Sequence, residues 1–371
     1  MEYDGSPNRE HPPTPHANGP REFGGRVGVT PTHLGLLKGI MDSGIQPQSQ
    51  GYAADITSIE EAKLRISPYI HETPVLTSKS LNSIARKQLY FKCECFQKGL
   101  GVLQMLYSLF PMIKQPKESS HTAAVSLAAK LRGIPAYIVI PENAPRCKIE
   151  NVKRYGGQVI WSEPTFQSRE NVAKKVQQET GAIMVHPFND KYIISGQGTI
   201  SLELLEQIPE IDTIVVPISG GGLISGVTLA AKAINPSIRI LAAEPRGADD
   251  AAQSKAAGQI IRLPETKTIA DGLCAFLGDL TWPVVRDLVD DIITVGDEAI
   301  IEAMRMCYEI LKVAVEPSGA IGLAAVLSDQ FQQSAAWKDS NNIGIILSGG
   351  NIDLVEEQQQ KPHSHNLAFA S

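Results

Sequence analysis

A glycine-rich turn, Ser219-Gly220-Gly221-Gly222-Leu223, has the composition of a ligand-binding segment. It comes shortly after residues 211–217, whose β-branched composition is typical of a strand, and it precedes a helical pattern over 223–233. Glycines let the backbone approach a ligand closely, and the free N–H groups at the start of a helix attract anions. The spacing therefore predicts a phosphate site, with an ordinary strand-to-helix turn as the alternative.

The predicted phosphate site matches neither of two common nucleotide-binding motifs. The sequence has no G-x-x-x-x-G-K-S/T loop, and Ser195-Gly196-Gln197-Gly198-Thr199 lacks the third glycine of a dinucleotide fingerprint. A second glycine motif, Ser348-Gly349-Gly350-Asn351, follows a predicted strand over 343–347. Ligands of open α/β sheets collect at the carboxyl ends of the strands. We therefore expect the two glycine motifs to lie at one edge of a sheet.

Apolar β-branched runs alternate with helical patterns from about Ile56 onward, which predicts an α/β fold with a parallel sheet. The predicted strands span residues 136–140, 158–161, 182–185, 213–216, 239–243 and 343–347. The predicted helices include residues 169–180, 198–207, 223–233 and 298–312.

The composition favours small-molecule partners. The 371 residues are 43% hydrophobic with a net charge of −6, and they contain no apolar run long enough to cross a membrane, so neither nucleic acid nor membrane is expected as a partner. Five cysteines without C-x-x-C spacing favour structural thiols in a reducing, cytoplasmic setting. Residues 1–51 and 355–371 are predicted to be disordered, and Met41 is an alternative start.

Seven short motifs along the chain match those of a known family both in their residues and in their order. They are His71-Glu72-Thr73-Pro74-Val75, Phe91-Lys92-Cys93-Glu94, Gly133-Ile134-Pro135-Ala136, Ser195–Thr199, Ser219–Leu223, Glu316-Pro317-Ser318-Gly319 and Ser348–Asn351. Together they resemble the serine racemase and threonine dehydratase family. The resemblance implies a fold-type-II pyridoxal phosphate enzyme, similar to tryptophan synthase β, with two parallel-sheet α/β domains and usually a homodimer. The large domain would comprise residues 52–115 and 189–354, and the small domain residues 116–188.

The resemblance also implies the roles of several residues. The segment Ser219, Gly220, Gly221, Gly222 and Leu223 would hold the cofactor phosphate, and Ser348 would face the pyridine nitrogen. A hydroxyl there leaves that nitrogen largely unprotonated and weakens the electron sink. Glu316 would lie near the ring and the substrate, or it is simply a carboxylate at a helix end before Pro317.

Two accessory sites are implied in the same way. Glu244, Asp250 and the carbonyl of Ala248 resemble a divalent-metal loop for Mg²⁺, Mn²⁺ or Ca²⁺, with a solvated acidic turn as the alternative. Activation by ATP at a subunit interface is a property of the family, and the matching positions are Ser78, Ser80, Lys98, Tyr155 and Asn351. Lys79 departs from the family pattern, which has a small or polar residue at this position.

The chain departs from the family at the segment that should carry the cofactor-binding lysine. After Lys98-Gly99 the family continues with Phe-Lys-x-Arg-Gly-Ala and later with a Ser-Ser-Gly-Asn-His loop, whereas residues 100–118 are apolar and interrupted by prolines. A codon choice for Ile-Arg-Gly-Ala-Ser-Asn-Ala-Val, read from its second base, encodes residues 100–107 of this chain. We therefore hypothesise a frame-shift that deletes the lysine codon at the Gly99/Leu100 junction and closes near His121.

The missing lysine decides the expected activity. In the family it forms the Schiff base with the cofactor and then acts as a base on one face of the substrate Cα, while a serine of the missing loop acts on the other face. We expect an intact form to racemise serine and to eliminate water from serine or threonine, and we expect the chain as written to be inactive. Two alternatives are a dedicated threonine dehydratase and a non-catalytic regulator that binds metal, nucleotide or an intact subunit.

Overall fold

The structure is a computed structural model that describes residues 51–97, 119–144, 146–182 and 184–352. Its strands are β1 (Val75–Leu76), β2 (Gln88–Lys92), β3 (Tyr137–Pro141), β4 (Gln158–Ser162), β5 (Thr213–Pro217), β6 (Arg239–Pro245), β7 (Asp291–Val295) and β8 (Asn342–Ile346).

Helices connect these strands. They are α1 (Ile56–Ile66), α2 (Lys79–Ala85), α3 (Ser119–Arg132), α4 (Arg146–Arg154), α5 (Phe166–Thr180), α6 (Lys191–Gln207), α7 (Gly222–Ile234), α8 (Asp250–Ala257), α9 (Trp282–Leu288), α10 (Asp297–Met306), α11 (Pro317–Leu327), α12 (Asp329–Gln332) and α13 (Ala335–Asp339). Short 3₁₀ turns occupy Glu94–Phe96, Arg246–Ala248 and Asp271–Leu273, and a π-helical turn covers Cys307–Leu311.

Six strands form a sheet in the order β1-β2-β8-β5-β6-β7. Strand β1 pairs antiparallel with β2, and the other pairs are parallel. Strands β3 and β4 form a separate parallel two-stranded sheet. The predicted α/β class is confirmed, with the difference that the short antiparallel β1 makes the larger sheet mixed.

Helices cover both faces of the six-stranded sheet. Because side chains alternate along a strand, Val215 packs into one core with residues of α11, while Ile214 and Val216 pack into another with residues of α6 and α7. All five residues of β5 are buried. Such two-sided burial is typical of parallel sheets and explains why residues 214–217 of β5 are all apolar.

The backbones of helices α6 and α7 lie unusually close together where they cross, because both helices have glycine at the crossing. A Cβ atom added at Gly226 would lie 2.2 Å from the carbonyl oxygen of Ile194 and 2.5 Å from the amide nitrogen of Gly198. The Ser195–Thr199 motif therefore lies inside α6, where its small side chains permit this approach.

Two of the predicted elements are wrong in part. Residues 182–185 form no strand among the residues described there, and Met184 makes only an isolated bridge, because little chain separates Gly181, which ends α5, from Asp190, which starts α6. The helix predicted over 298–312 is α-helical only to Met306 and then widens into the π-helical turn.

Helix α6 begins seven residues before its predicted start at Gly198. The carboxylate of Asp190 accepts hydrogen bonds from the backbone N–H groups of Tyr192 and Ile193, at 2.8 and 3.3 Å. This N-cap signal extends the helix over two glycines that make the segment resemble a turn. Strands β1, β2 and β7 were not among the predicted strands.

No helix in the described part of the chain is long and apolar enough to cross a membrane.

We predict that Gly226→Ala strongly destabilises the fold, because the added methyl group meets backbone atoms of α6 that belong to a packed helix. The expected loss in the free energy of unfolding is about 3 kcal/mol or more. Ala233→Ser, at an exposed position of the same helix, is the matched control and should change stability by less than about 0.5 kcal/mol. Urea unfolding measures both, and equal stability of the two variants would contradict the crossing geometry.

Candidate functional site

The Ser219–Leu223 turn connects β5 to the start of α7. Gly221 is the N-cap residue with φ of +88°, a left-handed conformation that favours glycine, and no side chain among the described residues caps the helix. The first-turn N–H groups of α7 are therefore left for an acceptor from outside the helix. This geometry suits a phosphate group.

Phe188 lies beneath the glycine turn. A Cβ atom at Gly220 would lie 2.3 Å from the Phe188 ring, and one at Gly222 would lie 2.9 Å from the Phe188 Cα. The Phe188 ring packs edge-on against His186 with 4.5 Å between ring centroids. Gly220 and Gly222 are thus required by their packing against Phe188, and the same glycines would let a phosphate approach the backbone on the other side of the turn.

Thr281 braces the same turn. Its buried hydroxyl donates to the carbonyl of Gly220 at 2.8 Å and accepts from the N–H of Gly278 at 3.0 Å. The side-chain oxygen of Asn189 accepts from the N–H of Leu280 at 2.8 Å, which joins the Phe188 segment to this loop. These contacts fix the backbone of the turn without using its N–H groups.

The Ser348–Asn351 motif follows β8, the direct neighbour of β5 in the sheet. The prediction that both glycine motifs lie at the carboxyl ends of strands in one sheet is confirmed, and the structure adds that the two strands are neighbours. The hydroxyl of Ser348 is buried and donates to the carbonyl of Ser318 at 3.4 Å, a long hydrogen bond. An uncharged hydroxyl in this position can meet a ring nitrogen without imposing a charge on it.

The segment Asp271–Ala275 connects the two motifs. The Ser219 hydroxyl accepts from the N–H of Ala275 at 2.9 Å, and the Ser318 hydroxyl accepts from the N–H of Gly272 at 3.1 Å. One short segment therefore contacts both the phosphate turn and the serine that neighbours Ser348. Sequence reasoning missed it, and Gly272, where a Cβ would lie 2.9 Å from the Ser318 hydroxyl oxygen, was its only local signal.

Glu316 occupies the N-cap position of α11 and is buried. Its backbone N–H donates to the carbonyl of Gly349 at 3.0 Å, and its carboxylate accepts from the N–H of Asn351 at 3.2 Å. A Cβ at Gly349 would lie 2.0 Å from the same carboxylate. Glu316 thus holds the Ser348–Asn351 motif in place, and the alternative of a helix-end carboxylate describes its contacts in part.

Helix α4 packs against the same motif from the side of the two-stranded sheet. Asn151 donates from its side-chain amide to the side-chain oxygen of Asn351 at 3.1 Å, and the thiol of Cys147 donates to the Asn351 carbonyl at 3.5 Å. The buried Lys148 forms an ion pair with Asp271. The β3–β4 layer therefore contacts both the Ser348–Asn351 motif and the Asp271–Ala275 segment.

The described residues fit a cofactor with a phosphate at one end and a neutral ring nitrogen at the other. The uncapped start of α7 supplies N–H donors, and Ser348 supplies a hydroxyl at the neighbouring strand end. Pyridoxal phosphate has both groups. The structure gives no contacts for the segment that would bind its aldehyde, because Lys98 and residues 100–118 lie outside the described residues.

The predicted metal ligands lie together around the end of β6. Glu244 is buried, and its two carboxylate oxygens accept from the N–H groups of Ala251 and Ala252 at 2.8 and 2.9 Å. Burial, followed by the charges of nearby Asp250 and Asp249, raises the pKa of Glu244 to about 8, although its hydrogen bonds oppose the rise. A buried carboxyl that ionises this reluctantly alone suits a cation, which would take the place of its proton.

The donor set limits the identity of that cation. Among the described residues, no cluster of three or more His, Cys, Asp or Glu side chains could hold a metal. Glu244 and Asp250 would therefore need backbone oxygen, such as the carbonyl of buried Ala248, and water to complete a shell. Mg²⁺ commonly binds with one or two carboxylates and several waters, so the residues fit it.

The predicted nucleotide residues are divided between two regions. Ser78 is the N-cap residue of α2, where it accepts from the N–H of Leu81 at 3.4 Å, and Ser80 is exposed on that helix. Tyr155 follows α4, which contacts Asn351. No hydrogen bond or ion pair found in the described part of the chain joins one region to the other.

A buried charge network lies where β2 ends. The ammonium of Lys92 is fully buried and contacts Glu203 of α6 at 2.7 Å, the carbonyl of Thr73 at 2.8 Å and the side-chain oxygen of Gln207 at 3.3 Å. Glu94 lies 3.9 Å from it and accepts from the Thr73 hydroxyl at 2.5 Å. The network joins Thr73 of the His71–Val75 motif to Lys92 and Glu94 of the Phe91–Glu94 motif.

Comparison with known proteins supports the same interpretation. The family model for pyridoxal-phosphate dependent enzymes matches residues 66–349. The chain belongs to that family. It is 70% identical over 317 residues to a serine racemase of Oryza sativa subsp. indica. That alignment covers 83% of this chain and 94% of the relative.

Solved structures agree with the fold. The structure of maize serine racemase superposes with a TM-score of 0.81 at 67% identity, covering 83% of this chain and 97% of that one. The processed form of threonine deaminase isoform 2 from Solanum lycopersicum gives a TM-score of 0.75 at 27% identity, covering 82% and 85%. The fold-type-II pyridoxal phosphate architecture that the motifs imply is confirmed.

We predict that Lys92→Met destabilises the protein by about 3 to 5 kcal/mol, because it leaves Glu203 buried without its cationic partner. Lys63→Met is the matched control, since Lys63 pairs with Glu206 at 3.0 Å on the surface and should lose less than about 1 kcal/mol. Denaturant unfolding separates the two. A loss at Lys92 no larger than the loss at Lys63 would contradict the role of the network.

We predict a pH dependence that originates at Glu94. Burial raises its pKa from an ordinary 4.5 to about 7, although Lys92 and Thr73 oppose the rise. Between pH 4.5 and about 7, the folded state therefore holds a proton that the unfolded state has lost. The stabilising contribution of this carboxyl is fully present below pH 4.5 and disappears as the pH rises to about 7.

The test compares unfolding free energies of the wild-type chain and Glu94→Gln between pH 5 and 8. The stability of the wild type relative to the variant should fall with rising pH, by an amount on the order of 3 kcal/mol. Glu61→Gln on the surface is the control and should follow the wild type. A difference that stays constant with pH would refute the assignment.

Proposed function

We propose that an intact form of this protein is a pyridoxal phosphate enzyme that interconverts L- and D-serine and eliminates water from serine or threonine to give a 2-oxo acid and ammonia. The observation that carries the proposal is the placement of the Ser219–Leu223 turn and the Ser348–Asn351 motif on adjacent strand ends. The 70% identity to a rice serine racemase and the match to the maize serine racemase structure support the choice of substrate.

Each motif has a distinct task in this proposal. When bound, pyridoxal phosphate withdraws electrons from the substrate Cα and so makes its proton removable. The N–H groups of Ser219–Leu223 anchor the phosphate, and the Ser348 hydroxyl meets the pyridine nitrogen without protonating it. Glu316 keeps Gly349 and Asn351 fixed, and so holds the ring edge of the site in position.

The proposal includes a loss of function in the chain as written. Proton exchange at Cα needs a base on each face for racemisation, and the family lysine and loop serine are both missing from residues 100–121. We attribute the loss to a frame-shift over that segment. Lys98, Lys114 and Lys117 are the nearby lysines, but Lys98 matches a nucleotide position and the other two belong to the altered segment.

Accessory features are proposed with the family function. Mg²⁺ at Glu244, Asp250 and the Ala248 carbonyl would offset the burial, and to a smaller degree the charges of Asp250 and Asp249, that together raise the pKa of Glu244. Activation by ATP, a homodimer, a cytoplasmic location and a division into a large domain (52–115 and 189–354) and a small domain (116–188) remain proposals from the resemblance.

A second candidate is a non-catalytic regulator. The observation in its favour is that the phosphate turn, the Ser348 motif and the acidic pair are assembled by residues outside the altered segment. Such a chain would bind metal, nucleotide or an intact subunit without turnover. A dedicated threonine dehydratase is the third candidate, in line with the structural match to a threonine deaminase.

The experiment compares two purified proteins, the chain as written and a repaired chain in which the Phe-Lys codons are restored after Gly99 and the family frame is restored over residues 100–121. D-serine and pyruvate from L-serine, and 2-oxobutyrate from L-threonine, are measured with pyridoxal phosphate and Mg²⁺ present. We expect both serine products from the repaired chain and neither from the chain as written.

Other outcomes decide against parts of the proposal. Turnover of L-threonine alone by the repaired chain would favour the dehydratase. Turnover by the chain as written that disappears when pyridoxal phosphate is removed would refute the loss of function. A repaired chain that folds with the expected circular dichroism but turns over neither amino acid would refute the family function.

A further inference from the structure

A short segment, Val185–Asp190, connects the layer of the two-stranded sheet to the start of α6. Val185 is buried in one core with residues of β3, and Asp190 is the N-cap residue of α6. Between them, Phe188 packs against the phosphate turn, with its ring next to Gly220 and its backbone next to Gly222. The position of Phe188 therefore helps to set the path of the backbone at the start of α7.

His186 holds Phe188 from within this segment. The Nδ1 atom of His186 accepts a hydrogen bond from the backbone N–H of Asn189 at 2.9 Å and a longer one from that of Phe188 at 3.4 Å. A ring nitrogen accepts only while it carries no proton, so Nδ1 is unprotonated in this arrangement. The same ring meets the Phe188 ring edge-on, with 4.5 Å between the centroids and 89° between the planes. One side chain thus contacts both the backbone and the ring of Phe188.

The neighbours of His186 extend this restraint. Pro187 limits the backbone of the residue before it to extended conformations, and so limits where the imidazole can lie. Asn189, whose N–H donates to His186, uses its side-chain oxygen to accept from the N–H of Leu280 at 2.8 Å. Leu280 directly precedes Thr281, which donates to the Gly220 carbonyl. The contacts of His186 therefore reach the phosphate turn both through Phe188 and through the Thr281 loop.

We propose that His186 is a positioning residue for the phosphate of the cofactor. It acts through Phe188: the Nδ1 contacts fix Phe188, and Phe188 in turn keeps Gly220 and Gly222 where their N–H groups can meet a phosphate. Loss of the acceptor would leave two backbone N–H groups without it and would let Phe188 shift, so the phosphate site would be less preorganised. The inference rests on the proposed function, because it concerns the cofactor that this function requires.

Three substitutions separate the acceptor of His186 from the bulk of its side chain. His186→Asn puts an oxygen at the place of Nδ1, and His186→Leu has nearly the same shape as that variant without an acceptor. His186→Gln keeps the amide but moves its oxygen one methylene group further from the backbone. His71→Leu, at an exposed position, is the matched control.

The probe is pyridoxamine phosphate, which has the ring and the phosphate of the cofactor but no aldehyde, so its binding needs no lysine. Calorimetric titration of the full chain gives its affinity, and phosphorus NMR at saturation reports the surroundings of the bound phosphate. We expect His186→Leu and His186→Gln to bind at least about fivefold more weakly than the wild type, with a phosphorus signal nearer to that of the free probe. His186→Asn and His71→Leu should remain within about twofold of the wild type and keep its signal.

The contrary outcomes are distinct. Equal affinities and signals in all variants would overturn the role of His186 and leave the proposed function intact. The same would follow if His186→Asn bound as weakly as His186→Leu, or if affinity fell while the phosphorus signal stayed that of the wild type. No saturable binding to the wild-type chain would overturn the proposed cofactor framework itself, and the inference with it. If circular dichroism shows that His186→Leu does not fold, the comparison of His186→Asn with His186→Gln decides.

Discussion

Parallel pairing between β5 and β8 is the constraint on which the candidate site depends. The two strands are far apart in the sequence, yet their register places the Ser219–Leu223 turn beside the Ser348–Asn351 motif. Neither motif alone defines a cofactor. Together they would provide N–H donors for a phosphate at one end and a neutral hydroxyl at the other, and the Asp271–Ala275 segment joins them through hydrogen bonds to Ser219 and Ser318.

Buried polar contacts keep this edge in register. The carboxylate of Glu316 secures Asn351, Thr281 secures Gly220, and Lys92 joins the end of β2 to α6. These groups are costly to bury and are satisfied by specific partners, so they favour one arrangement over others. The framework around the cofactor is accordingly assembled by residues outside the segment where the family lysine should lie.

Much of this arrangement could be predicted from the sequence because its signals are local. The glycine turns, the buried strands β5, β6 and β8 and the α/β class follow from residue spacing alone. The start of α6 could not be predicted, since the glycines of Ser195–Thr199 serve a helix crossing that depends on Gly226. Phe188, Thr281 and the Asp271–Ala275 segment were missed because only tertiary packing brings them to the phosphate turn.

The central claim is that a preserved pyridoxal phosphate framework has lost its lysine through a shift of reading frame. Sequencing of the transcript and the genomic DNA across the codons for Phe96 to Ala129 tests it most directly. We predict that the frame displaced by one base over residues 100–121 encodes Ile-Arg-Gly-Ala-Ser-Asn-Ala-Val and continues toward the Ser-Ser-Gly-Asn-His loop, and that the Phe-Lys codons are lost from the message at the Gly99/Leu100 junction. A DNA sequence that encodes neither in any frame would contradict the account.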